Sequence, residues 1–415
     1  MALSIDLFSE ESYELPNWAE KLDDEKLNEL GRHVVEATKV DAQSREPWLA
    51  ETELWLEMAT QVIESKNTPW PNASSVKFPL LTTAALQFHA RAHQELLKGE
   101  RVVKGKVIGG VEGGEKARRG KRVESAMTNQ LLYRMEDWSD DTDRLLFVLP
   151  LVGTVFRKTY WSSILRRPAS ELVLANELVV NYYATDWERA RKTHTFLKSK
   201  NEIVEQVRMG NYLDVDLPDV PAEPVEDQES EGTNELPEQM EATSLPGDVP
   251  HTILEQHGWY DLDEDGYQEP YIITVEEESR QVLRILPRYL PDMIEKNEDE
   301  ILRIIPLEYI VAYKFLPDVD SSIYGIGIGK LLGPSNAAID TIINQLVDSG
   351  TLATMPSGFI GRGIRLSRGG RIRLQPGEWQ VVNSGGDDLK NSFFPMPTTC
   401  GVTFRITWAR CSPST

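Results

Sequence analysis

The sequence predicts a mixed α+β chain, and three observations carry that reading. Apolar residues recur at helical spacing through most of the stretch from Pro16 to Leu151. The period shortens to that of strands from Gly153, and a single helical stripe returns between Pro334 and about Leu352. With 415 residues, the chain is long enough for two or three ordinary domains or one large one.

The first half reads as a series of helices. Leu22, Leu27, Leu30, Val34 and Val35 mark one helical face, and Trp48, Leu49, Leu54, Trp55, Met58 and Val62 mark another. The loop 67–79, NTPWPNASSVKFP, contains Pro69, Pro71 and Pro79 and is incompatible with regular structure. A helix follows with Leu81, Ala85, Phe88, Ala92 and Leu96 on one face. The Gly- and Val-rich segment 99–114 has the pattern of a short hairpin, and 116–133 and 140–151 read as two more helices. Beyond Gly153 come the strand-like runs TVFRKTYWSSILR and ELVLANELVVNYYAT, then a helix over 201–209. Structure resumes after Pro250 as a strand meander: HTILEQHGWYDLD, EPYIITVEEES, QVLRILPRYL and ILRIIPLEYIVAYKFLP.

Charge is unevenly distributed. The net charge is −22, and residues 216–248 hold eleven acids and no Lys or Arg, so half of the imbalance lies in one segment. That composition cannot bury enough apolar surface to offset the entropy of ordering, which predicts a disordered insertion over 217–250. The overall charge argues against a protein that simply coats nucleic acid. Cys400 and Cys411 are the only cysteines, so a disulfide framework and a thiolate metal site are excluded for the main body. No apolar run approaches a membrane span, and the acidic start MALSIDLFSEESYELP is unlike a signal peptide, so the expected location is inside the producing cell.

Several constellations imitate known chemistry without meeting its requirements. Asp261, Asp263, Asp265 and Gly266 match the opening of an EF-hand loop, but the twelfth position is Ile272 and strands flank the segment; a tight turn between strands is expected. His89 and His93 have metal-sharing spacing on a helix, but Ala90 stands where a metalloprotease needs Glu, and no third ligand is evident. Gly325, Gly327, Gly329 and Lys330 fit neither the phosphate loop nor the dinucleotide fingerprint. They read as a flexible joint feeding a helix with Pro334 in its first turn. No nucleophile elbow is present. No catalytic residue, cofactor or metal is predicted, and the chain is not expected to be an enzyme.

The helix from Pro334 carries two stripes. Ile339, Ile342, Ile343, Leu346 and Val347 form an apolar one, while Asn336, Asp340, Asn344 and Asp348 recur at four-residue steps as a polar, acidic one. This fits a surface helix, or a helix packed sideways against copies of itself with Asp340, Asn344 and Asp348 facing a channel. Next, IRLSRGGRIRL alternates Ile364, Leu366, Ile372 and Leu374 with Arg365, Arg371 and Arg373 around a Gly369–Gly370 turn. With Arg362 and Arg368, these arginines make a basic face that suits phosphates, an acidic partner, or plain solvent.

Long, similarly ordered segments carry a resemblance to the portal proteins of short-tailed, double-stranded DNA bacteriophages. They are NTPWPNASSVKFPLLTTAALQF from Asn67, HGWYDLDEDGYQEPYIITV from His257, YGIGIGKLLGPSNAAIDTIINQLVDSGTL from Tyr324, SGFIGRG from Ser357 and LQPGEWQVVN from Leu374. The resemblance covers most of the chain to Pro397. It implies the portal fold: a mixed helical and β-strand wing over 1–325, a first stem helix over 326–353 and a clip-like β-hairpin region over 354–388. It also implies a head-to-tail connector, usually a ring of twelve copies at one capsid vertex, through which terminase packages double-stranded DNA and DNA is later ejected. Implied partners are terminase, a tail adaptor, and the capsid and scaffolding proteins, with no membrane. The implied location is the virion's portal vertex, reached from the host cytoplasm. Within this frame the arginines fall where the family docks terminase and adaptor, and the apolar stripe packs the stem.

One departure follows. Residues 389–397 begin a second stem element, but the family's second stem helix and crown have no counterpart in the last eighteen residues, 398–415. The expectation is a shifted reading frame or prophage decay, and a product that alone gives monomers or heterogeneous aggregates and packages no DNA. The alternative reading is another DNA-associated virion protein, internal to the capsid or ejected with the genome. More distant is a nucleic-acid-processing enzyme with dispersed carboxylates.

Overall fold

The computed structural model describes residues 15–62, 73–97, 102–108, 114–135, 137–162, 166–215, 217, 249–297, 300–319, 323–354, 358–360 and 393–395. Nearly all of the expected insertion over 217–250, all five arginines of 362–373, most of the clip-like region and the segment 398–415 lie outside them. The chain divides into two compact units: one of residues 1–60 and 80–333, the other of residues 61–79 and 334–415.

The larger unit begins with helix α1 (Asp24–Thr60), which runs unbroken through Pro47 and absorbs both apolar runs seen in the sequence. Helices α2 (Leu80–Leu96), α3 (Glu115–Asn129) and α4 (Asp137–Val152) follow, and α3 leads into a π-helical turn over Gln130–Arg134. The expected hairpin over 99–114 does not form among its described residues, since 102–108 have no regular structure. The chain then changes to strands: β1 (Thr154–Ser162), β2 (Arg167–Val173), β3 (Leu178–Val180) and β4 (Lys192–Lys198). A short helix α5 (Lys200–Arg208) starts on a capping box, in which Ser199 and Glu202 satisfy each other's backbone amides. After the insertion come β5 (His251–Tyr260), β6 (Glu269–Glu276), β7 (Val282–Pro287), β8 (Ile294–Asn297), β9 (Glu300–Ile304) and β10 (Ile310–Lys314).

Every strand pair in this unit is antiparallel, in sheets ordered β3-β4-β5-β6-β7, β10-β1-β2 and β8-β9. Strands paired without crossover helices, with helices gathered at the start, make the unit α+β rather than α/β. One core forms where α1 crosses the five-stranded sheet: Val34 and Val35 pack with Leu254, Tyr271, Ile273 and Ile285, all fully or almost fully buried. Burying each such side chain is worth roughly 1.5–3 kcal/mol. Polar pegs fix the approach. Asn17 donates to Leu283 O (2.9 Å) and accepts from Ile285 N (3.0 Å), and Arg45 donates to Leu178 O (2.7 Å), Asn176 O (3.1 Å) and Ala175 O. Arg45 thereby satisfies carbonyls of the tight turn before β3 that would otherwise be buried unpaired.

The smaller unit is built on helix α6 (Ile328–Thr354), whose first turns belong to the larger unit, with a two-stranded pairing of β11 (Gly358–Ile360) and β12 (Phe393–Pro395). Segment 61–79, placed in the wing by its sequence position, belongs to the same unit as this helix. Among the described residues no helix is long and apolar enough to cross a membrane.

Candidate functional site

The polar stripe of α6 has a specific partner. Segment 73–79 is non-helical and extended, as its prolines require, and runs antiparallel along the helix. Ser74 N donates to Asp348 Oδ1 (2.9 Å), Val76 N to Asn344 Oδ1 (2.7 Å) and Phe78 N to Asp340 Oδ1 (2.6 Å). Asn344 returns a bond from Nδ2 to Val76 O (3.1 Å) and also accepts from Ser74 Oγ (2.9 Å). Asn336 Nδ2 donates to Asp340 Oδ2 (3.2 Å) and steadies that carboxylate. The match is geometric. Four helical residues advance about 6 Å along the axis and two extended residues about 6.6 Å, so a four-step stripe presents acceptors to every second amide of a straight chain.

Asp340 and Asn344, expected from the sequence to face a channel, are 9% and 7% exposed in the single chain and face the 73–79 backbone; Asp348 is partly buried on the same segment. The apolar stripe divides. Ile339 and Ile343 are half-buried, whereas Ile342, Leu346 and Val347 are 55%, 73% and 44% exposed. Val76 and Phe78 are also exposed. The helix is therefore satisfied on its polar side and left apolar on another.

The glycines just ahead of the helix and in its first turns act through closeness rather than flexibility. A Cβ on Gly325 would lie 2.7 Å from Gly153 O and Leu316 O, and one on Gly329 2.6 Å from Leu151 O and 2.7 Å from Trp55 Cβ. A Cβ on Gly327 would meet Leu151 O, and on Gly333 the Trp55 ring. Each glycine lets backbone approach backbone or indole, so the segment is a tightly packed joint and not a phosphate cradle.

Buried ionisable groups form one network between β1 and the β4–β5 pair. Lys158 Nζ lies 2.8 Å from Glu255 Oε1, and His257 Nε2 lies 2.9 Å from the same oxygen. His194 Nδ1 lies 3.5 Å from Lys158 Nζ. Burial favours protonating Glu255, but Lys158 and His257 outweigh it and hold the carboxyl well below the usual range. Burial, with the Lys158 charge behind it, lowers His194 to about 4. Lys192, fully buried, reaches Glu308 at 2.7 Å, and burial lowers it to about 8 against the pull of that carboxylate. The network links β1 of one sheet to β4 and β5 of another and acts as a pin between them. His89 and His93 share Asp143, at 2.7 and 3.6 Å, on the surface of α2 and α4. Of the two rings, His89 is hydrogen-bonded to Asp143, and His93 stacks on His89.

The sequence did not reveal segment 73–79 as the partner of the stripe. Its visible signals were the strict four-residue step on α6 and a proline-bounded segment able only to be extended. A scan against protein-family models and a search of the curated proteins return no match.

Proposed function

We propose that this chain is a portal subunit, a head-to-tail connector whose α6 is the stem helix that packs against neighbouring copies. The observation that carries the reading is the two-sided character of α6. Its acceptor stripe is saturated by its own chain, while Ile342, Leu346 and Val347 stay exposed on a helix where solvent-facing positions are normally polar. A repeated, head-to-tail contact through such a stripe generates rings or open chains rather than closed dimers. The resemblance of segments 67–88, 257–275 and 324–352 to phage portals supports the same reading. The arginines at 362, 365, 368, 371 and 373 are then the docking face for terminase or tail adaptor.

The test is self-association of the full chain, measured by sedimentation with Ile342→Asp and Leu346→Asp introduced together. Association of the parent, expected as heterogeneous species that grow with concentration, should be reduced in the double variant with an unchanged circular dichroism spectrum. A double variant that associates as the parent does contradicts the reading.

A further inference from the structure

Helix α3 is basic in a strongly acidic chain. The net charge is −22, yet Lys116, Arg118, Arg119, Lys121 and Arg122 stand close together on this helix, and all of them are exposed. The helix has a defined inner side. Ala117, Gly120, Glu124 and Thr128 are buried or partly buried at helical spacing, so Arg118, Arg119 and Arg122 lie on the opposite side. Segment 102–108 lies against the same helix. A Cβ on Gly105 would stand 2.8 Å from Gly120 O, and Gly105 N donates to Glu124 Oε2 (3.1 Å). This segment adds the exposed Lys104 and Lys106 to the patch. Both carboxylates of α3 are already engaged, Glu124 by that amide and Glu115 by Arg119.

The neighbours of the arginines decide what kind of surface this face fits. Val123 and Met127, 55% and 46% exposed, stand beside them on the same helix. The phosphates of a duplex offer nothing to cover these side chains, whereas a protein surface does. The chain itself supplies a complementary one. On α1, Glu46, Ala50, Glu53 and Glu57 fall on one helical face and are all exposed, with Leu54 44% exposed beside them. Both faces are open in the single chain, so neither covers the other. Arg118 and Arg122 stand four residues apart, as do Glu53 and Glu57. Each pair therefore spans about 6 Å of helix, and two such helices side by side can form both contacts at once. The planar fork of arginine accepts a carboxylate in a fixed geometry, which adds register to attraction.

We propose that the basic face of α3 in one copy docks on the acidic stripe of α1 in the next, with Arg118 and Arg122 against Glu53 and Glu57. Val123 and Met127 then meet Leu54. The proposal rests on the reading of the chain as a self-associating subunit, and it gives that association a second, polar contact. The two faces are different parts of one surface, so the contact is head-to-tail. Each added copy leaves one α3 face and one α1 stripe unpaired until a ring closes. A two-fold dimer through α3 alone would set arginine against arginine, which like-charge repulsion disfavours.

Two charge-reversed full chains test the pairing by sedimentation. One carries Arg118→Glu with Arg122→Glu, the other Glu53→Lys with Glu57→Lys. All four positions are exposed, so both chains should keep the parent's circular dichroism spectrum and Tm. Alone, each should associate about tenfold more weakly than the parent, because like charges now meet at the contact. Mixed in equal amounts they should regain association, since each reversed face finds its opposite on the other chain. Raising the salt from about 0.05 M to about 0.5 M should weaken the mixture again. A mixture that associates no better than either variant alone overturns the contact. Binding of a short DNA duplex by the parent, lost in the arginine variant while the mixture gains nothing, would give the face to nucleic acid instead. The α6 reading stands or falls separately, on Ile342→Asp and Leu346→Asp.

Discussion

His194 lies on β4, 4% exposed, and is kept neutral by burial and by the Lys158 charge beside it. The unfolded chain takes up a proton at this residue below about pH 6.5, while the folded chain waits until about 4. Between those values the unfolded state binds more protons, so stability is fully present above the higher value and falls as pH drops through the window. At pH 5 the loss is on the order of 2 kcal/mol relative to pH 7. Urea unfolding at the two pH values should show a clearly smaller loss in His194→Gln; an identical loss in both chains would sink this assignment. Gly333 sets a second residue-scale test. Its side of α6 meets the Trp55 ring, so Gly333→Val should destabilise the chain by about 1–3 kcal/mol through overpacking. A urea midpoint equal to the parent's would show that Trp55 can move aside.

At the scale of elements, α6 and segment 73–79 depend on each other. Asn344→Leu removes the acceptor of Val76 N and the donor to Val76 O, which leaves partly buried backbone groups unpaired at a cost of about 1–3 kcal/mol. Hydrogen exchange should accelerate at the amides of Ser74, Val76 and Phe78 in this variant, and unchanged protection there would mean that the stripe does not hold the segment. The stripe itself was legible, because its four-residue step is a property of α6 alone. Its partner was not: Phe78 stands 262 residues from Asp340 and Ser74 stands 274 from Asp348, and an extended proline-bounded segment has no period to read. Strand β4 was missed for a related reason. Its first three residues, Lys192, Thr193 and His194, are buried through ion pairs and hydrogen bonds instead of apolar character, so alternation gave no signal. The meander β5–β6–β7 was readable, since its apolar residues alternate over the strands that bury them.

For the whole molecule, the portal proposal rests on a helix with one saturated and one apolar side that follows a mixed α+β unit and precedes an arginine-rich segment of the sequence. The measurement that tests this most directly is the position of the chain in a particle. Immunogold labelling is applied to particles from cells that make this chain together with the capsid and scaffolding proteins of a short-tailed phage. The account predicts label at a single vertex of each particle, retained after the DNA has left. Label distributed over the shell, label lost with the DNA as for an internal or ejected protein, or particles without label would each contradict it.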